Sequence, residues 1–144
     1  MPTPDLSRFE EAQAPHLSAV YSELRSGEKR SHWMWFIFPQ HISLSQSPIS
    51  KRYGIVDLEY ARAYLRHPSL SATLRECVTL ASSHPSRSAR EIFGEVDALK
   101  LRSCLTLFLA ASERPEDKSL FQLALTQLYG GVRCKLTLTA LSDP

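Results

Sequence analysis

The sequence predicts an all-α fold, a compact single domain over residues 1–144 with about six to seven helices and a long loop after residue 40. Three observations carry this reading. Apolar residues recur at three- and four-residue spacing through most of the chain. The segments that show it open on capping residues or prolines and close on glycines or prolines. The one stretch that alternates, Leu136-Thr-Leu-Thr-Ala-Leu141, has no second strand to pair with. A chain of 144 residues with 43% hydrophobic and 22% charged residues can bury a real core and is ordinary for a globular protein.

In chain order, residues 1–5 read as a loose lead-in. Leu6, Phe9, Leu17, Val20, Tyr21 and Leu24 keep helical spacing, and Pro15 demands a kink or a fresh start between them. Gly27 suits a C-terminal cap, and Lys29-Arg30 just beyond it has the right sign for that end. Ser31-His-Trp-Met-Trp-Phe-Ile-Phe-Pro-Gln40 follows, holding both tryptophans of the chain and showing neither the helical nor the strand period. From His41 to Gly54, rich in serine and punctuated by Pro48, a long loop is expected, and such loops are more often functional than idle.

Asp57 can cap a helix through Leu58, Ala61, Tyr64 and Leu65, ending before Pro68. Ser69 is the expected cap of the next, whose stripe is Leu70, Leu74, Cys77, Val78 and Ala81. Ser88 and Glu91 have capping-box spacing and open a short helix to Phe93, bent or broken at Gly94. A longer helix runs from about Glu95 to Ser112, and its part Cys104–Ala111 is apolar nearly all round, the mark of burial on most sides. Pro115, with Glu116 and Asp117 beside it, starts another, which Gly130-Gly131 ends. Leu136–Leu141 is then a terminal helix.

Seventeen basic residues nearly cancel fifteen acidic ones, so the net charge of +2 gives no strong footprint for nucleic acid or anionic membrane. The three cysteines, Cys77, Cys104 and Cys134, are odd in number and far apart, which reads as free thiols in a reducing cytosol. No signal-peptide pattern opens the chain, and the longest apolar run is too short to span a bilayer. A cytoplasmic protein is expected. His16, His41, His67 and His84 have no partner at ligand spacing, so neither metal nor cofactor is expected. The common phosphate-loop, dinucleotide and serine-hydrolase motifs do not occur.

Several blocks carry a family resemblance: residues 31–40, Ser50-Lys-Arg-Tyr-Gly-Ile55, Ala63-Tyr-Leu-Arg-His-Pro68 and Ile92-Phe-Gly-Glu-Val-Asp-Ala-Leu-Lys100. Through them the sequence resembles, over almost its whole length, the domain of unknown function 1810 family, often mislabelled calpastatin. The resemblance implies a small, mostly helical, stand-alone bacterial protein. It implies no activity, and the calpastatin label carries no protease-inhibitor function with it. In that family an aspartate that could cap the last helix usually follows the double glycine. Here Cys134 takes that place.

Three groups of residues carry possible chemistry. Trp33, Trp35, Phe36 and Phe38 offer flat apolar walls, with His32 and Gln40 as directional hydrogen-bonding ends, a mixture that suits a planar ligand such as a nucleobase. The competing reading is that these rings seed the core. Asp97 and Lys100 are helix neighbours at the end of a buried stripe and could act as acid and base or orient a phosphate, or form a plain ion pair. Lys51, Arg52 and Tyr53 form a basic loop cluster able to hold phosphate or carboxylate, or simply solvated charge. Together they give the leading expectation: a pocket for an anionic planar molecule, nucleotide or ADP-ribose-like. In a hydrolase or transferase, Asp97 or His32 would move the proton and Lys100 would stabilise developing negative charge. The alternative is a non-catalytic module that presents an exposed aromatic motif to a protein partner. Burial of the motif separates the two.

Overall fold

The computed structural model describes residues 4–142, which form ten α-helices and one 3-10 turn, with no strand among them. In order the helices are α1 (Ser7–Gln13), α2 (Leu17–Ser26), α3 (Met34–Ile37), α4 (Pro48–Arg52), α5 (Leu58–Arg66), α6 (Pro68–Ala81), α7 (Ala89–Phe93), α8 (Glu95–Ala111), α9 (Pro115–Tyr129) and α10 (Lys135–Ser142). Seven of them are seven residues or longer. The all-α expectation holds. The first three residues of the expected lead-in lie outside the described residues. Beside them Asp5 accepts hydrogen bonds from the Ser7 amide and hydroxyl at the start of α1.

Helix α8 is the axis of the bundle. Leu101, Cys104, Leu105, Leu107 and Phe108 have no exposed surface, because α5, α7, α9 and α10 all pack against this one helix. Its all-round apolar composition follows from that position. Helix α6 lies against α2, α5 and α9, and α1 closes the bundle against α3 and α6. A line of rings crosses the interior: Phe9 meets Tyr64 edge-on at 5.2 Å, and Tyr64 meets Phe108 at 5.3 Å. The buried Gln13 amide donates to the Phe36 carbonyl at 2.7 Å and to the Tyr64 hydroxyl at 3.2 Å, which ties α1 to α3 through a satisfied polar group.

Local chemistry explains most boundaries. Pro15 separates α1 from α2 as a clean break. Gly27 ends α2 in the left-handed region at φ 73°, its N–H reaching Glu23 and Leu24 carbonyls. Asp57 caps α5 by accepting from the Tyr60 amide at 2.8 Å, and Ser88 and Glu91 cap α7 reciprocally. One cap differs from expectation. Ser69 lies inside α6, and His67 caps that helix by accepting from the Leu70 amide at 3.3 Å, with Pro68 at the first helical position. A proline there leaves the cap to the residue before it.

The stretch 41–54 also differs from the loop expected. His41 and Ile55 form a parallel bridge: the Ile42 amide donates to the Ile55 carbonyl at 2.8 Å, and the Ile55 amide to the Gln40 carbonyl at 3.0 Å. Between them lie a 3-10 turn (Ile42–Leu44) and α4, which Ser47 and Ser50 cap reciprocally. The serines that read as loop composition are capping residues. Gly54 makes the bridge possible, since a Cβ there would sit 2.6 Å from Ile42 Cγ1 and 2.9 Å from its Cα.

The aromatic motif is held by Glu23, which is 5% exposed. Its carboxylate accepts from the Arg30 amide at 2.5 Å, the Ser31 amide at 2.8 Å, the Ser31 hydroxyl at 2.7 Å and Trp33 Nε1 at 3.2 Å. Burial pushes this carboxyl up, but those hydrogen bonds outweigh it and hold the group below the ordinary 4.5.

Two outcomes follow for stability. Glu23→Ala leaves up to four donors facing a cavity and lowers unfolding free energy by about 2–4 kcal/mol near neutral pH, read by urea denaturation. The folded carboxyl titrates below its unfolded value, so its contribution is complete above about pH 4.5 and disappears as pH falls through the folded pKa. The difference between wild type and variant therefore narrows in acid. Gly54→Ala forces Ile42 to shift and costs about 1–3 kcal/mol in the same assay.

Candidate functional site

Asp97 in the first turn of α8 sits between two lysines. Lys29 Nζ is 2.8 Å from Oδ2, donates to the Ser31 carbonyl at 2.5 Å, and lies 4.9 Å from the centre of the Trp33 ring. Lys100 Nζ is 3.5 Å from Oδ1 and 5.7 Å from the centre of the Trp35 ring. The expected Asp97–Lys100 pair is present. The closer partner is Lys29, whose side chain is only 5% exposed and which lies far away in sequence. One carboxylate shared by two cations leaves a net positive edge here, and the less committed charge is Lys100.

Lys100 opens onto a groove of about 640 Å³. Trp35 and Gln40 form one side and the segment from Ser43 to Ser50 another. The outward face of α8 supplies Val96, Leu99, Lys100, Arg102 and Ser103, and α10 supplies Leu136, Thr139 and Ala140, with Cys134 just before it. A narrow cleft beside it, beneath Trp35, adds Met34, Phe38 and Tyr53. Two cations and no carboxylate line the groove.

The residues expected from sequence divide as follows. Trp35, Gln40 and Lys100 come together in the groove, and Phe38 and Tyr53 touch the cleft beside it. Trp33 has no exposed surface, and Phe36 is buried with it. His32 is exposed and lines neither cavity, and Asp97 stands behind Lys100. Lys51 and Arg52 are exposed on α4 outside the groove, where Arg52 lies over the Tyr53 ring and its carbonyl accepts from Arg8. The groove residues that α8 and α10 add beyond Lys100, among them Arg102, Ser103, Leu136 and Thr139, had no sequence signal as a site. The departure at Cys134 was the one pointer to that wall.

A second cavity, of about 340 Å³, lies between α5, α6 and α9. Its arginines are already committed. Arg75 pairs with buried Asp117 at 2.7 and 3.0 Å, and Arg66 with Glu113 at 2.9 and 2.7 Å, both as two-pronged forks. Among the described residues no group of three or more His, Cys, Asp or Glu side chains is placed to hold a metal ion, and no helix is long and apolar enough to cross a membrane.

Cys134 caps α10: its carbonyl accepts from the Leu138 amide at 3.2 Å, and its own amide donates to Thr106 Oγ1 at 2.9 Å. Its sulfur accepts from the Ser103 hydroxyl at 3.3 Å. Burial raises this thiol, but the Ser103 hydroxyl and the backbone amides of Leu136 and Thr137 bring it below the ordinary thiol value of 9.0. The other thiols go the other way, since burial pushes Cys77 up to about 12 and Cys104 well above 9.0. Iodoacetamide at pH 7.5 therefore labels Cys134 first, read by peptide mass mapping, with Cys77 and Cys104 labelled only on unfolding.

Comparison with known proteins gives the chain its place. The family model described as a protein of unknown function, DUF1810, matches residues 3–141. No curated protein matches. The chain is similar to a conserved hypothetical protein from Mycobacterium tuberculosis known from a crystal structure, at 46% identity and a TM-score of 0.92, over 97% of this chain and 98% of that one. A family match over nearly the whole chain, with the same overall fold in a relative of this identity, places the chain: it belongs to the DUF1810 family.

Proposed function

We propose that the groove binds an anionic, planar small molecule of the nucleotide or ADP-ribose-like class. The observation that carries this reading is the lining: Lys100 and Arg102 supply positive charge, no carboxylate opposes them, and half-buried Trp35 offers an indole surface beside Gln40. Aromatic faces stack on planar rings, an amide reads a ring edge, and the volume falls in the range of small-molecule sites. Binding is the function assigned. Lys100 is the group suited to stabilise developing negative charge in a hydrolysis or group transfer. His32 and Asp97 lie outside the groove lining, so no proton-transfer step is assigned to them.

The protein-partner reading has less support. It needs a flat exposed aromatic surface, and Trp33, Phe36 and Phe38 are buried. Three unbridged thiols and the mycobacterial relative support a reducing compartment, the cytoplasm of a bacterial cell.

A thermal-shift screen with nucleotides, dinucleotides and ADP-ribose derivatives tests the reading. A ligand at a hundred times its Kd stabilises the native state by about 2.7 kcal/mol, a rise of roughly 5–10 °C for a chain of this size. The expected result is a saturable rise in wild type that Lys100→Ala and Trp35→Ala reduce. No rise with any of these compounds at millimolar concentration contradicts it.

A further inference from the structure

Arg102 differs from the other arginines of the chain. Arg30, Arg62, Arg66, Arg75, Arg90 and Arg114 each pair with a carboxylate. Arg8, Arg87 and Arg133 donate to carbonyl or amide oxygens, and Arg25 and Arg52 lie over tyrosine rings. The Arg102 guanidinium has no such partner among the described residues, and its Nε is buried with no hydrogen-bond acceptor. The sealed Nε is out of a ligand's reach, and the part of the group left open to the groove is its two terminal nitrogens. Arg102 lines the groove, one residue before Ser103 and two beyond Lys100.

We propose that Arg102 is the anchor of the groove for a phosphate-class oxyanion, held by the two terminal guanidinium nitrogens that no carboxylate or carbonyl among the described residues engages. A guanidinium fork matches phosphate oxygens in a way that a lysine point charge does not. Lys100 lines the same groove and adds positive charge to the attraction for a group that carries up to two negative charges. Trp35 then receives the planar part of the molecule. This assignment rests on the proposed binding role of the groove and adds which side chain takes the anion and which anion it takes.

The test uses the whole protein and inorganic pyrophosphate, with phosphate and acetate as further probes. Melting temperature is recorded against probe concentration for wild type, Arg102→Met, Arg102→Lys, Lys100→Met and, as an exposed control away from the groove, Lys51→Met. The expected result has two parts. Without probe, Arg102→Met melts at or above the wild-type temperature, because a sealed N–H without an acceptor has been removed. With pyrophosphate, wild type and Lys51→Met rise saturably, while Arg102→Met binds about tenfold more weakly or worse, and Arg102→Lys does not restore wild-type affinity. Phosphate acts like pyrophosphate at higher concentration, and acetate does not.

A probe-free loss of stability in Arg102→Met makes the arginine a structural group and overturns the proposal. Equal response to acetate overturns the phosphate assignment. Retention of the pyrophosphate effect in Arg102→Met with its loss in Lys100→Met moves the anion to Lys100, which ends this inference and leaves the groove reading standing. No response of wild type to pyrophosphate or phosphate ends it as well. The nucleotide screen then decides the groove reading separately.

Discussion

A single buried carboxylate underlies the architecture of this chain. Glu23 has given up water for four donors within residues 30–33, and that exchange fixes the path of the chain as it leaves α2. A carboxylate taken from solvent is tolerable only when its lone pairs are satisfied, and here backbone and side-chain donors do so together. The consequence passes outward in steps. With Ser31 placed, its carbonyl receives Lys29; Lys29 reaches Asp97; Asp97 holds Lys100 beside Trp35. The groove begins at the far end of a chain of charges that starts inside the bundle.

The motif that dominates the sequence is therefore two things at once. Trp33, Phe36 and Phe38 are core, and Trp35 alone among its rings stays half in contact with solvent. A one-turn helix produces this division. Four helical residues between Trp33 and Phe38 rotate successive side chains by about 100° each, so the ring at position 35 faces away from the interior that its neighbours fill. The polar ends separate in the same way: Gln40 turns to the groove and His32 to solvent.

Fold class, the burial of α8, and most caps were legible in the sequence, because each depends on residues within about one turn of one another. Glu91 caps through Ser88, and Asp57 through Tyr60. The same locality explains what was not legible. Nothing near Glu23 announces that it will gather donors seven to ten residues on, and nothing near Asp97 names Lys29. Ser47 and Ser50 looked like loop composition, since a reciprocal serine pair lacks the glutamate that marks the usual capping box. The α10 wall escaped notice because Leu136, Thr139 and Ala140 acquire meaning only when that helix lies against α8. Half the site is a property of packing.

The bridge between His41 and Ile55 has a consequence for the way the groove can vary. Residues 43–50 leave the fold and return to it through one clasp, two backbone hydrogen bonds beside Gly54, and none of their side chains belongs to the buried core. The segment behaves as an interchangeable cassette. Its exposed side chains set the shape and polarity of one groove wall without entering the interior of the bundle. A change in this segment therefore reshapes the wall beside Lys100 and Arg102 while leaving the packing inside the bundle as it is.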